Sequence, residues 1–348
     1  MGQGRRVTLN SIAEEVGLST TTVSRILNGK AARYRISKST EEAVLRTAAE
    51  LEYVPDRLAR GLRTRRTHTI GLIIPDISNP FFSTVARNIG IEARKTGYSI
   101  FLYDTQEKTS LEVDSLRLLQ SRKVDGLIIC PAGDEDEHLN ATLSSGLPMV
   151  IVDRHFPGLK CPYVISDNYG GSLDAVNFLL ENNHRRVSCI QGRLHTSVNK
   201  DRIRGYKDAL KKHRIPLDES LIVGDSFGEG NGYVSAKILL NQSSRTTAIF
   251  ATSNLISLGA MRAIFEEGLK IPDDISIVSF DDQPYSDYLA APMTTVAQQT
   301  TEMGQIAFKL LLAQLNPGKS DNNQGVILPT KLIIRKSVKT LTTQSKGG

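Results

Sequence analysis

The sequence has no run of about eighteen apolar residues, which excludes a helix that spans a membrane. Its first residues, MGQGRRVTLNSIAEEVG, lack the apolar centre of a secretory signal, so a cytoplasmic location is expected. Cysteine is scarce: Cys130, Cys161 and Cys189 are odd in number, far apart and not spaced as metal ligands. That speaks against a disulfide framework and leaves reduced, buried thiols as the expectation. Catalytic signatures are missing too. No serine-centred nucleophile elbow, P-loop or HExxH occurs, and the glycine-rich GDSFGEGNGY lacks the strand context of a dinucleotide site. The six histidines are scattered. His184 and His213 fall near predicted helix ends, whereas His155 and His195 lie in loops where they could line a cleft. No base stands beside a nucleophile, so an enzyme is disfavoured, and neither cofactor nor metal is expected.

At 348 residues, 40% of them hydrophobic, the chain is long enough for two or three domains with buried cores. Its net charge of +6 is unevenly spread. Residues 1–66 hold 13 Lys/Arg against 7 Asp/Glu, and the other residues hold 30 of each. The whole positive excess therefore sits on the first fifth of the chain, the electrostatic footprint of a nucleic-acid module attached to a neutral partner domain.

Within that basic region, Leu9, Ile12, Ala13 and Val16 mark one face of a helix, and Gly17 stands where a helix would end. Ser19 or Thr20 can cap a second helix, TTTVSRIL, with Val23, Ile26 and Leu27 inward. Thr20, Thr21, Ser24 and Arg25 are then left on its exposed early turns. In a helix-turn-helix those turns meet base edges, and the Arg25 fork suits guanine O6 and N7. A generic helical hairpin with a solvated Thr/Arg face is the alternative. Residues 39–53 predict a third helix, with Ser39 and Glu42 at capping-box spacing. The intervening loop GKAARYRIS carries Arg33 and Arg35, placed either on phosphates or in solvent. The stretch PDRLARGLRTRR sets Leu58, Ala59 and Leu62 among Arg57, Arg60, Arg63, Arg65 and Arg66. It is either a flexible basic linker or a short helix that folds on DNA, with Leu62 wedged into the minor groove.

From Thr69 onward, apolar β-rich runs alternate with helical stretches. The runs are TIGLIIP, GYSIFLYD, VDGLIIC, PMVIVD, YVISD, VSCIQG, AIFATS, DISIVSFD and TKLIIRK. Continuous apolar strands between helices predict parallel sheets covered on both faces, and their number predicts two similar lobes. Ligands of such sheets bind beyond the C-terminal strand ends. There the sequence places Asn79, Phe81, Phe82, Asp153, Arg154, Arg202, Asp281 and Gln298. Planar hydrogen-bonding groups with aromatic faces suit a hydroxyl-rich ligand, although Asp153 and Arg154 could instead pair with each other or cap a helix.

VTLNSIAEEVGLSTTTVSRILNG, YVPDRLARGLRTRRTHTIGLIIPDISNPFF, VDGLII, DNYGGSLDAVNFLLENNHRRV, DRIRGYKDAL, SIVSFDD and MTTVAQ together resemble the lactose/galactose repressor (LacI/GalR) family, in the expected order over nearly the whole chain. The resemblance implies an all-α helix-turn-helix headpiece plus an α/β two-lobed periplasmic-binding-protein-like core with parallel sheets. The implied division is headpiece 1–56, hinge 57–68, core 69–340 and a polar tail 341–348. Lobe one takes about 69–165 plus 299–325, and lobe two about 166–298 plus 326–340. The implied protein is a homodimeric repressor on pseudo-palindromic double-stranded operator DNA, controlled allosterically by a sugar or sugar derivative. The DNA-facing set on this basis is Thr8, Ser19, Thr20, Thr21, Thr22, Ser24, Arg25, Asn28, Arg33, Arg35, Tyr53, Arg57, Ala59, Arg60, Leu62 and Arg63. The effector-facing set adds Phe227, Ser253 and Asn254 to the strand-end residues above. Two departures stand out: the loop GKAARYRIS is longer than usual, and the family's Asn-Asp pair is replaced by Ser253-Asn254. A sugar-binding protein without a DNA role is the alternative, and an enzyme using Asp153 or Asp281 as base is a weaker one.

Overall fold

A computed structural model describes residues 7–53, 66–316 and 325–342, and the chain divides into two compact units, Met1–Thr67 and His68–Gly348. In the first unit three helices, α1 (Leu9–Val16), α2 (Thr20–Leu27) and α3 (Lys38–Glu50), enclose Ile12, Val23, Ile26 and Val44. The first is fixed at both ends by its sequence. Thr8 and Ser11 exchange hydrogen bonds between side chain and backbone, and Gly17 closes the helix at φ 64°. Ser19 then caps α2 by accepting the Thr22 N–H at 3.2 Å. The third helix starts earlier than the expected residue 39. Its cap is Ser37, whose extended backbone lets Oγ accept the Thr40 N–H, and Ser39 lies in the first turn. The basic loop before it contains one 3₁₀ turn, Ala32–Tyr34, anchored by buried Ala31.

The second unit contains two six-stranded sheets. The first comprises β1 (Thr69–Ile74), β2 (Ser99–Asp104), β3 (Gly126–Ile129), β4 (Met149–Val152), β5 (Tyr163–Ser166) and β11 (Gly325–Leu328). The second comprises β6 (Val187–Ile190), β7 (Ile222–Val223), β8 (Ala248–Ala251), β9 (Ser276–Phe280), β10 (Thr294–Ala297) and β12 (Lys331–Ile333). Their orders are β11-β5-β4-β3-β1-β2 and β12-β10-β9-β8-β6-β7. The central strands are buried throughout, as expected of strands covered on both faces. One pairing departs from the all-parallel expectation: Lys331–Ile333 runs antiparallel to Thr294–Ala297, because the chain reverses directly from one lobe into the other at residues 329–330. Two helices not singled out in the sequence, Glu137–Ser144 and Thr300–Leu315, complete the first lobe.

Each sheet carries a core on both faces. In the first lobe Ile70, Leu72, Phe82 and Phe308 pack on one side and Leu116, Leu119 and Leu127 on the other. In the second, Val176, Tyr206, Phe250 and Phe280 face one layer and Leu239, Ile249 and Ile264 the opposite one. The chain passes between lobes near residues 167, 298–299 and 329–330. The last passage comes after Leu328, not at 326, because Gly325–Leu328 pairs with Tyr163–Ser166 in the first sheet. The passages are laced together. Asp167 N–H donates to Leu328 O at 2.8 Å, Gln299 Nε2 to Pro329 O at 2.9 Å, and Thr330 Oγ1 to Asp167 O at 3.4 Å.

Helices Glu229–Leu240 and Asn254–Glu266 meet backbone to backbone. A Cβ on Gly232 would lie 2.1 Å from Ile256 O, and one on Gly259 would lie 2.0 Å from Glu229 O. Because the obstruction is main chain, it cannot turn aside. Gly259→Ala is therefore expected to destabilise the core by about 1–3 kcal/mol through forced separation of the helices. Urea unfolding of the variant should give a lowered midpoint, and an unchanged midpoint would show that the helices part without cost.

Candidate functional site

The strand ends of the two lobes converge on one small cleft of about 20 Å³. It is lined by Asn79, Phe81, Phe82, Asp153, Arg154, Arg202, Phe227, Ser253, Asp281 and Gln298, all expected from the sequence, together with Val198, which was not. Local structure explains how each arrives. Asn79 Oδ1 accepts the Phe81 N–H and caps helix Pro80–Lys95, so Phe81 and Phe82 stand on its first turn with rings 5.0 Å apart. Asp153 and Asp281 occupy matching positions after β4 and β9. Both have a left-handed backbone, φ 69° and 70°, and each N–H donates at 2.9 Å to the neighbouring strand, at Val164 O and Val296 O. That sparsely populated conformation turns both carboxylates out of their strands.

The opposing charges are just as constrained. Arg202, on helix Ser197–Lys212, donates Nε to Asn168 Oδ1 at 2.9 Å and Nη1 to Thr252 O at 2.5 Å. Its guanidinium lies 3.6 Å over the Phe280 ring and 4.0 Å from Asp281. Asp281 also accepts from Gln298 Nε2 at 2.5 Å. Arg154 donates to Glu107, Pro131 O and Ala132 O. The four charged side chains are 2–6% exposed.

Burial governs their protonation. It pushes Asp153 up to about 6 against the pull of Arg154 and Arg202, and it raises Asp281 despite Arg202 and Gln298. Burial lowers Arg202, and it acts the same way on Arg154, where Glu107 outweighs it and leaves the guanidinium above its ordinary value. Arg154 Nε and Gln298 Oε1 are buried in the cleft without a hydrogen-bond partner. These are groups that ligand oxygens or hydroxyls would satisfy.

Not every expected residue faces the cleft. Asn254 turns between the lobes and donates Nδ2 to Asn79 Oδ1 at 3.3 Å, while Ser253 lines the cleft and caps helix Asn254–Glu266. His155 and His195 line a neighbouring chamber of about 530 Å³, where His155 stacks on Tyr163. Glu107 was missed in the sequence because a Glu in the polar loop TQEKTS looks like a solvated charge. Val198 was not singled out in the sequence.

In the first unit Thr20, Thr21, Ser24, Arg25 and Asn28 share one concave face with Leu9, Lys30 and Tyr34. The Arg25 guanidinium stacks 3.9 Å above the Tyr34 ring. Thr8, Ser19 and Thr22 use their hydroxyls in the caps of the first two helices. Arg33 and Arg35 are exposed on the loop, and Tyr53 follows the third helix half-buried. Arg57, Ala59, Arg60, Leu62 and Arg63 lie outside the described residues.

Two sequence profiles match the chain: "Bacterial regulatory proteins, lacI family" over residues 8–56, and "Periplasmic binding protein-like domain" over residues 176–338. The ribose operon repressor of Haemophilus influenzae is 34% identical over 96% of this chain and 99% of its own length. The solved structure of the lac repressor dimer bound to operator and an anti-inducer matches with a TM-score of 0.85 and 26% identity, over 96% of this chain and all of that one. A LacI family regulator from Enterococcus faecium, solved with bound ribose, matches with a TM-score of 0.73 and 29% identity, over 79% of this chain and all of that one.

The Asp153 shift fixes the sign of a pH effect. Its folded pKa of about 6 exceeds the ordinary 3.8, so its contribution to stability is full below pH 3.8 and is lost as pH rises through 6. Asp153→Asn lacks that titration and should gain stability relative to the parent across that window. Urea unfolding at several pH values checks this, and a pH-independent difference would mean that Asp153 does not titrate as a buried carboxyl.

Proposed function

The chain belongs to the lacI family of bacterial regulatory proteins, and on that premise we propose that it is a repressor whose operator affinity is set by an uncharged sugar held in the interlobe cleft. Membership makes it a DNA-binding transcription regulator and not an enzyme. The observation that carries the ligand reading is the cleft itself. Two buried carboxylates and two buried guanidiniums meet there beside Phe81 and Phe82, with donors and acceptors left unpaired. Paired planar groups match adjacent hydroxyls, and aromatic faces match the C–H surface of a sugar ring. The name of the Haemophilus relative and the ribose in the Enterococcus structure support a sugar of pentose size.

The chain acts as a homodimer on a pseudo-palindromic operator in the cytoplasm. The lac repressor likeness supports this, and no described helix is long and apolar enough to cross a membrane. Residues 1–56 read DNA, 57–68 form the hinge and 69–340 bind the effector. Thr20, Thr21 and Arg25 meet base edges, and Leu62 with its neighbouring arginines engages the minor groove. Control is linkage: the effector shifts operator affinity only by its difference in affinity for the two states, about 1–3 kcal/mol or roughly 5–150-fold.

Calorimetry against a panel of neutral sugars that includes ribose should find one saturable ligand. Asp281→Asn should weaken it by about tenfold or more, corresponding to about 1.4 kcal/mol. Binding that ignores this substitution would remove the cleft from the reading. On DNA, Arg25→Ala should cost about 1–3 kcal/mol at the selected operator and relax one base preference. Tyr34→Ala should lose part of the same discrimination, and nothing further when Arg25 is already alanine. Equal losses on operator and random DNA would refute base reading by Arg25.

A further inference from the structure

Glu107 stands just outside the cleft, and every part of it is held. It lies in the loop between β2 and the next helix, where Gln106 and Glu107 both have positive φ, 50° and 57°. Its N–H donates to Pro75 O at 2.9 Å, which ties the loop to the end of β1. Its carboxylate grips the far end of Arg154, with Oε1 2.6 Å from Nη2 and Oε2 2.8 Å from Nη1. Nη1 donates also to Pro131 O and Ala132 O at 2.9 and 3.1 Å. The one Arg154 nitrogen left without a hydrogen-bond partner is Nε. From the second lobe, Arg193 Nη1 donates to Glu107 O at 2.7 Å and lies 3.8 Å from its carboxylate.

The charges around the cleft then balance. Arg154, Arg202 and Arg193 stand against Asp153, Asp281 and Glu107. A phosphate or carboxylate on a ligand would add an uncompensated negative charge beside the four buried members of this set, and it would find the terminal nitrogens of Arg154 already occupied. A neutral polyol meets no such penalty and needs only Nε and the two aspartates.

We propose that Glu107 is the specificity-determining residue that fixes the charge class of the effector, by occupying Arg154 so that the cleft selects an uncharged sugar over its phosphorylated or acidic form. The inference rests on the reading of this cleft as the effector site. Glu107 touches no ligand. It acts by orienting Arg154 and by cancelling its charge.

The test is calorimetry of the full-length protein and its Glu107→Gln variant with D-ribose, D-ribose 5-phosphate and inorganic phosphate. The parent is expected to favour ribose over its phosphate by about tenfold or more. The variant is expected to lose affinity for ribose and gain it for the two phosphates, so that the preference disappears or reverses. Adding Arg154→Gln to the variant removes both halves of the pair and should abolish the gained phosphate binding. Arg193→Gln alone leaves Arg154 occupied and should keep the preference for ribose. The proposal is overturned if the parent binds ribose 5-phosphate as well as ribose, or if Glu107→Gln leaves the ratio unchanged. Should the parent bind ribose in neither form, the pentose reading fails. Inorganic phosphate then decides the charge claim: binding gained only in Glu107→Gln supports it, and equal binding or none in both overturns it.

Discussion

Four charges buried at the cleft between the lobes are the constraint around which the core is arranged. Arg154, Arg202, Asp153 and Asp281 are all but removed from solvent. Each would cost several kcal/mol if left unpaired in such surroundings. Paired, such a set roughly breaks even against apolar residues of similar volume, so stability alone gives little reason to place it there. The cost is contained by specific partners: Glu107 and two carbonyls for Arg154, Asn168 and Thr252 for Arg202, Gln298 for Asp281. Those partners are supplied by both lobes and by several strand ends. A polar set of this kind is useful when a ligand completes it, since Nε of Arg154 and Oε1 of Gln298 still lack partners.

The same requirement ties the cleft to the chain crossings. Gln298, which holds Asp281, sits at one passage between lobes, beside Gln299, which bonds to Pro329 at another. Asn168, which holds Arg202, follows Asp167, whose backbone joins the first passage to the third. A change in how the cleft groups are satisfied is thus felt within one or two residues of the strands that connect the lobes. If the cleft holds the effector as proposed, that is a physical route by which its occupancy would bias the relation of the lobes, and linkage requires no more than such a bias.

Much of this was legible in the sequence because the signals are local. The cap at Ser19, Gly17 at a helix end and continuous apolar runs each depend on a few neighbouring residues. Strand ends carry ligands in open α/β sheets, so Asn79, Asp153 and Asp281 could be picked out by position. What escaped depends on distant chain. Ser37 and Ser39 have equal capping chemistry, and backbone direction chooses between them. The antiparallel strand Lys331–Ile333 has an apolar pattern no different from that of a parallel one, and its direction follows from where the chain last crosses. Val198 resembles any helix-facing valine until the opposite lobe is in place. Glu107 is separated from Arg154 by 47 positions, and no local pattern joins them.

The two recognition surfaces share one device. In the first unit Arg25 would have many rotamers on an exposed helix, but Tyr34 gives its guanidinium a flat support at 3.9 Å. In the core Arg154 is fixed by Glu107 and Arg202 by the Phe280 ring. A guanidinium held before its partner arrives loses less side-chain entropy on binding, and its fork accepts fewer wrong geometries. For Arg25 the support comes from the loop between the second and third helices, whose Tyr34 supplies the orienting surface. On the proposed reading, discrimination rests on the groups behind these arginines as much as on the arginines themselves. Those groups are an aromatic ring in one case and a carboxylate in the other.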